Sequence, residues 1–135
     1  MARDRDSTSG DSRSVKPPNI VIDERTGMMR VAFAPGATIE DWKASRPTVV
    51  QLAQEKRIRR VLVDVRSQKS ENGPVHEMFE FGATLPIDMA FAVLSDPRRS
   101  DHAFVETVAV NRGKRVKLFY GPEEEAIEWL TSLDS

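Results

Sequence analysis

The chain has 135 residues, 39% of them hydrophobic and 30% charged, with a formal net charge of -1 and no cysteine. That length suits one domain with one core, because two halves would each bury too small a share of their surface. The balanced charge argues against a duplex-binding domain, and the missing thiols exclude disulfides, thiolate metal sites and cysteine nucleophiles.

Residues 1–18 carry Ser, Asp, Arg and Gly with almost no apolar side chains. Such a segment cannot bury enough surface to offset the entropy of ordering it, so a mobile extension ended by Pro17-Pro18 is expected. It lacks the apolar stretch of a signal peptide, and no run in the chain is long enough to span a bilayer. The expected location is the cytoplasm.

Regular patterning begins at Asn19. The β-branched segment 19–24 and the alternating segment 28–34, joined by Arg25-Thr26-Gly27, predict a hairpin closed by Pro35-Gly36. Thr38 is the expected N-cap of a helix, with Glu40 and Asp41 in its first turn and Ile39, Trp42, Val49 or Val50, and Ala53 on one face. Pro47 interrupts this pattern, which predicts two short helices or one kinked helix, with Ser45 capping the second piece. The nearly continuous apolar run 60–66 then reads as a central parallel strand buried on both faces.

Residues 67–73 form a polar loop, after which Pro74 opens a helix running to about Thr84 and stopped by Pro86. The apolar run 89–95 is a strand, broken at Asp96-Pro97. A helix capped by Ser100 or Asp101 follows, ending at Asn111-Arg112 with Gly113 as its left-handed terminal residue. Residues 115–120 alternate as a strand near the sheet edge. The last helix starts at Gly121-Pro122 and presents Ala126, Ile127, Trp129, Leu130 and Leu133 as one wide apolar stripe. The order ββαβαβαβα implies an α/β fold with a mixed, mostly parallel sheet, packed helices and one antiparallel strand from the opening hairpin.

Several of these segments carry a resemblance. The hairpin, the helix start Thr38-Ile39-Glu40-Asp41-Trp42, the strand Val61-Leu62-Val63-Asp64-Val65 and the ending Val116 to Leu130 together resemble the STAS-like superfamily, in particular the SpoIIAA-like bacterial proteins, over residues 19–134. The resemblance implies a non-enzymatic protein-interaction or regulatory domain, in some branches a phosphorylation switch and in others a ligand binder. Regulatory members carry an Asp-Ser pair between the third strand and the next helix. This chain offers Ser67 and Ser70 there but lacks the family's Asp-Ser-Ser-Gly pattern, which puts a switch of that kind in doubt.

Ligands of open α/β sheets bind outside the carboxyl ends of the strands. That edge collects Asp64, Arg66, Ser95, Asp96 and Tyr120, beside the N-termini of helices near Gly73 and Ser100 that suit an anion. Asp64, set within Val-Leu-Val-Asp-Val, must be a ligand contact or general base, or else a carboxylate that caps local backbone N–H groups or pairs with Arg66 or Arg98. His76-Glu77-Met78-Phe79-Glu80 is similar to a metalloprotease helix with Glu80 in the second histidine's place, but only His102 or a distant carboxylate is left to complete a metal site. No nucleophile elbow, P-loop or dinucleotide-binding turn is present, so neither catalytic residues nor a cofactor are implied. The basic clusters 56–60, 98–99 and 112–115 sit at helix ends without aromatic platforms, and nucleic acid is not expected as a partner. The apolar circumference of residues 103–110 and the off-stripe Phe81 predict a protein partner or a homodimer through the 74–84 and 101–112 helices.

Overall fold

A computed structural model describes residues 17–68 and 75–133. The extension read in residues 1–18 lies, apart from Pro17 and Pro18, outside these, as do Ser70, Gly73 and Pro74. Nine elements follow in order: β1 (Asn19–Asp23), β2 (Met28–Ala32), α1 (Ile39–Lys56), β3 (Arg60–Asp64), α2 (Val75–Ala83), β4 (Ala90–Leu94), α3 (Ser100–Asn111), β5 (Arg115–Phe119) and α4 (Glu123–Ser132).

The five strands lie side by side in chain order, β1 antiparallel to β2 and all other pairs parallel. This is an α/β architecture with a mostly parallel sheet, as the element order implies. The β1–β2 turn is fixed locally: the Asp23 carboxylate accepts from the Arg25 and Thr26 amides, and Gly27 takes the positive φ of 71° that closes the loop.

Register sorts every strand residue to one of two faces. Ile20, Val31, Val63, Val93 and Leu118 form one row across the sheet, and Ile22, Met29, Val61, Phe91 and Val116 the row beside it. These rows meet Trp42, Val49 and Ala53 of α1, Met78 of α2 and Val105 and Ala109 of α3 in the larger core. The opposite face offers Met28, Leu62, Ala90, Ala92 and Leu94, which pack against Ala126 and Leu130 of α4 alone.

The register also places Arg60, Arg30 and Asp64 on the α4 face, and they pin that helix at both ends. Arg30 bridges Asp64 at 3.0 Å and Glu123 at 2.9 Å, while Arg60 donates to the Leu133 carbonyl at 2.9 Å. Glu123 is the first residue of α4, where negative charge also suits the helix dipole.

Two local expectations need correction. Of the two alternatives at Pro47, two helices or one, the structure has a single helix running through the proline. Burial of Ile39 and Trp42 before it and of Val49 and Ala53 after it holds both halves on one core, enough to outweigh the lost backbone hydrogen bond. Ser45 is therefore no cap; its hydroxyl donates back to the Trp42 carbonyl at 3.0 Å. At α3 the capping position falls to Arg99, and Asp101 instead accepts the His102 amide at 3.0 Å. Gly113 does take the left-handed conformation after α3, with φ of 80°. No described helix is long and apolar enough to cross a membrane.

Candidate functional site

The carboxyl ends of β3 and β4 carry the residues singled out in the sequence, but the structure divides them. Asp64 closes β3 on the α4 face. Its carboxylate accepts from the Arg66 amide, Nε and Nη2 at 3.0, 3.1 and 2.9 Å and from Arg30. Burial works against its charge, yet the hydrogen bonds from Arg66 and the nearby Arg30 hold the carboxyl below its usual value. Of the two readings open for Asp64, the paired carboxylate is the one the geometry shows, with Arg30 and Glu123 as members that sequence reasoning missed.

Asp96 repeats the motif two residues before an arginine. Arg98 reaches it through its amide at 2.9 Å and its side chain at 3.0 and 2.6 Å, which keeps the carboxyl well below the usual range. Arg99 pairs in the same way with Asp101 at 2.6 Å. An open depression lined by Pro35, Arg66, Ser67, Gln68, Asp96, Arg98 and Arg99 lies at this edge. Each of its three guanidiniums already faces its own carboxylate, so the depression has little net charge to offer an anion.

Of the remaining candidates only Ser67 reaches it. The Ser67 hydroxyl donates to the Phe33 carbonyl at 3.1 Å and ties the post-β3 loop to the end of β2. Tyr120 is half exposed beyond β5 and has no polar partner among the described residues. Ser95 is 3% exposed and turns inward. Among the described residues no group of three His, Cys, Asp or Glu side chains is placed to hold a metal, so His76 and Glu80 find no third ligand there.

Ser95 enters a buried polar chain that the sequence did not reveal. Gln68 donates from Nε2 to the Ala37 carbonyl at 2.7 Å, which turns its Oε1 to His102 Nε2 at 3.0 Å. That orientation makes Nε2 the protonated nitrogen of His102, leaving Nδ1 to accept the Ser95 hydroxyl at 2.6 Å. Burial pushes the imidazole down to about 4, although the Asp101 carboxylate pulls the other way. The set has the order of a nucleophile, a base and an orienting group. Ser95, however, is not among the walls of the depression or of the cavity described next, so the chain serves to tie β4, α3 and the post-β3 loop together.

The second feature is apolar. A cavity of about 90 Å³ lies between the larger core face of the sheet and α1, α2 and α3. Val31, Val63 and Val93 form its floor, and Trp42, Phe81 and Val105 are among its walls. Val63 and Val93 sit in the third and fourth of five strands, yet both are only partly buried. The aromatic rings explain the gap: Trp42 stacks at 5.5 Å from Phe81 and 6.4 Å from Phe33, with His102 also 5.5 Å away. Three large rings in tilted contact hold the helices off the sheet more than aliphatic side chains would. The Trp42 Nε1 is a buried polar atom without a hydrogen-bond partner among the described residues. Nothing in the sequence pointed to this cavity, because most residues lining it read as ordinary core and its charged ones, Arg46 and Glu106, as helix surface.

No protein-family model, curated protein or solved structure matches this chain.

Proposed function

We propose that this domain is a non-enzymatic, STAS-like ligand-binding module that takes a small apolar or lipid-type molecule between its sheet and helices α1 to α3. The observation that carries this reading is the incomplete burial of Val63 and Val93 in the middle of the sheet. Residues flanked by hydrogen-bonded strands on both sides are normally sealed by the helices above them, and apolar surface left open beneath a helical layer is the usual form of a ligand site. The same reading moves the site away from the strand-end crevice, where the arginines are internally matched. The test is an NMR titration with pentan-1-ol, a neutral apolar probe, following the methyl resonances of Val63 and Val93. Saturable shifts at those two residues are the expected result, with the Val63 shift abolished when Val93→Phe fills the space. Methyl resonances that stay in place at saturating probe would refute the reading.

A second reading, a cytoplasmic STAS-like interaction domain acting through a protein partner or its own second copy, draws on a separate observation. Val75 and Phe79 on α2, Ile87 after it and Val110 on α3 are exposed apolar side chains. Three of them lie at the end of α3: Val110 within it, Ile87 beside Gly113, and Phe79, whose ring the Arg112 guanidinium covers at 5.2 Å. An apolar surface of this kind on the α2–α3 side suits a homodimer contact. Sedimentation at micromolar concentration tests it: a dimer that Phe79→Glu converts to monomer supports the reading, and a monomeric wild type removes it.

A further inference from the structure

One charged group stands among the apolar walls of the cavity without a countercharge. Arg46 of α1 lines it together with the valines and Phe81. Its guanidinium lies 5.1 Å from the Phe81 ring centroid and donates to the Thr84 hydroxyl at 2.6 Å. Both partners are neutral, and among the described residues Arg46 meets no carboxylate. This sets it apart from Arg30, Arg66, Arg98 and Arg99, each of which lies within 3.0 Å of an acidic oxygen. A guanidinium fixed by stacking and one hydrogen bond keeps donors available in a planar fork, the geometry that grips a carboxylate through two parallel bonds.

The other charged lining group, Glu106, is committed elsewhere: its carboxylate accepts the backbone amide of Leu118 at 2.8 Å. As an acidic side chain it disfavours a doubly charged head group at the same cavity. The volume limits the tail. About 90 Å³ is less than the roughly 150 Å³ in which an engineered apolar cavity takes up benzene, so the space suits a short tail of about four or five carbons.

We infer that the cavity selects a short-chain monocarboxylate, with its tail over Val63 and Val93 and its carboxylate on the Arg46 guanidinium. This rests on the cavity being a binding site, and the experiment separates the two claims. Wild-type protein is titrated with pentanoate, pentan-1-ol and pentyl phosphate, reading the Val63 and Val93 methyl shifts. Pentanoate is expected to bind at least about tenfold more tightly than pentan-1-ol, the scale of one charge-assisted hydrogen bond, and more tightly than pentyl phosphate. Arg46→Gln, which retains a donor for Thr84, removes the preference for the acid while pentan-1-ol still binds; Arg46→Lys, which keeps the charge, retains part of it. Equal affinity for acid and alcohol, or a preference for the acid that survives Arg46→Gln, overturns the role of Arg46 and leaves the cavity as a neutral site. Tighter binding of pentyl phosphate overturns the carboxylate class. Absence of shifts with all three ligands overturns the cavity reading, and this inference with it.

Discussion

The two faces of this sheet are built from alternate residues of the same five strands, yet they are closed in different ways. On one, Ala90 and Ala92 of β4 meet Ala126 and Leu130 of a single helix, and these small side chains let the α4 backbone come within 8 Å, Cα to Cα, of β3, β4 and β5. Ala92, Leu94, Ala126 and Leu130 are all 0% exposed as a result. On the other, three helices share the cover, aromatic rings fill the layer between, and a cavity remains. Polar straps join α1 to the α2 segment there, Lys43 to Glu77 at 3.6 Å and Arg46 to Thr84, beside the Trp42–Phe81 ring contact. A sheet with one closed face and one that holds space can keep its fold while a ligand enters the looser layer.

Substitutions can break or sharpen that contrast. The largest effect is expected from Leu130→Ala on the closed face, a loss of about 3 kcal/mol in a urea denaturation experiment, since nothing beside it can collapse into the void. Removal of a comparable amount by acid is expected from the cavity side. His102 has a folded-state pKa of about 4 against 6.5 in an unfolded chain, so between those values the unfolded state binds the extra proton. Stability is then full above about pH 6.5 and falls as pH drops toward 4, by roughly 3 kcal/mol in total, with His102→Asn flattening that part of the profile. Asp64 and Asp101 act in the same direction but lower: their folded pKa values lie below 3.8, so their contribution is present above that value and lost beneath it.

A pair of neighbouring residues on opposite faces gives the most direct comparison. Ala92→Val inserts two methyl groups where the α4 backbone is close, and about 1–3 kcal/mol of destabilisation should appear in the same assay. Val93→Ile adds one methylene over the cavity, and the expected outcome is no loss or a gain of up to about 0.8 kcal/mol. Equal costs for the two would show that the cavity face is as tightly packed as the other. Between these lies Gly82→Ala, whose new Cβ would stand 2.9 Å from the Val105 carbonyl oxygen. The backbones of α2 and α3 must separate to admit it, and a loss of about 1–2 kcal/mol measured by thermal melting is expected.

Much of the fold was legible because its signals are local. The alternation in residues 28–34, the apolar run at 60–66 and the glycines at 27 and 113 each mark a strand, a buried run or a left-handed turn within a few residues of themselves. The acidic start of α4 and its stripe with Leu130 were equally plain. Pro47 left the choice between two helices and one open for the same reason: its cost is local, whereas the burial of Trp42 and Val49 that outweighs it is tertiary. The polar site was read only in part. Asp64 and Arg66 are two residues apart, so their pairing could be anticipated, but Arg30 joins Asp64 across 34 residues of chain and Glu123 joins Arg30 across 93. Gln68 looked like one polar loop residue among several until its amide was found between Ala37 and His102.

The sequence by itself determined the order of elements, the parallel character of the sheet and the residues turned to each face, because periodicity and turn chemistry are properties of neighbouring residues. Strand order, the partner of each arginine and the space beneath α1 to α3 were decided only by the tertiary structure. A cavity has no residue of its own in the sequence; it is the distance left over when Phe33 and Trp42 meet Phe81, distant in the chain, above Val63 and Val93.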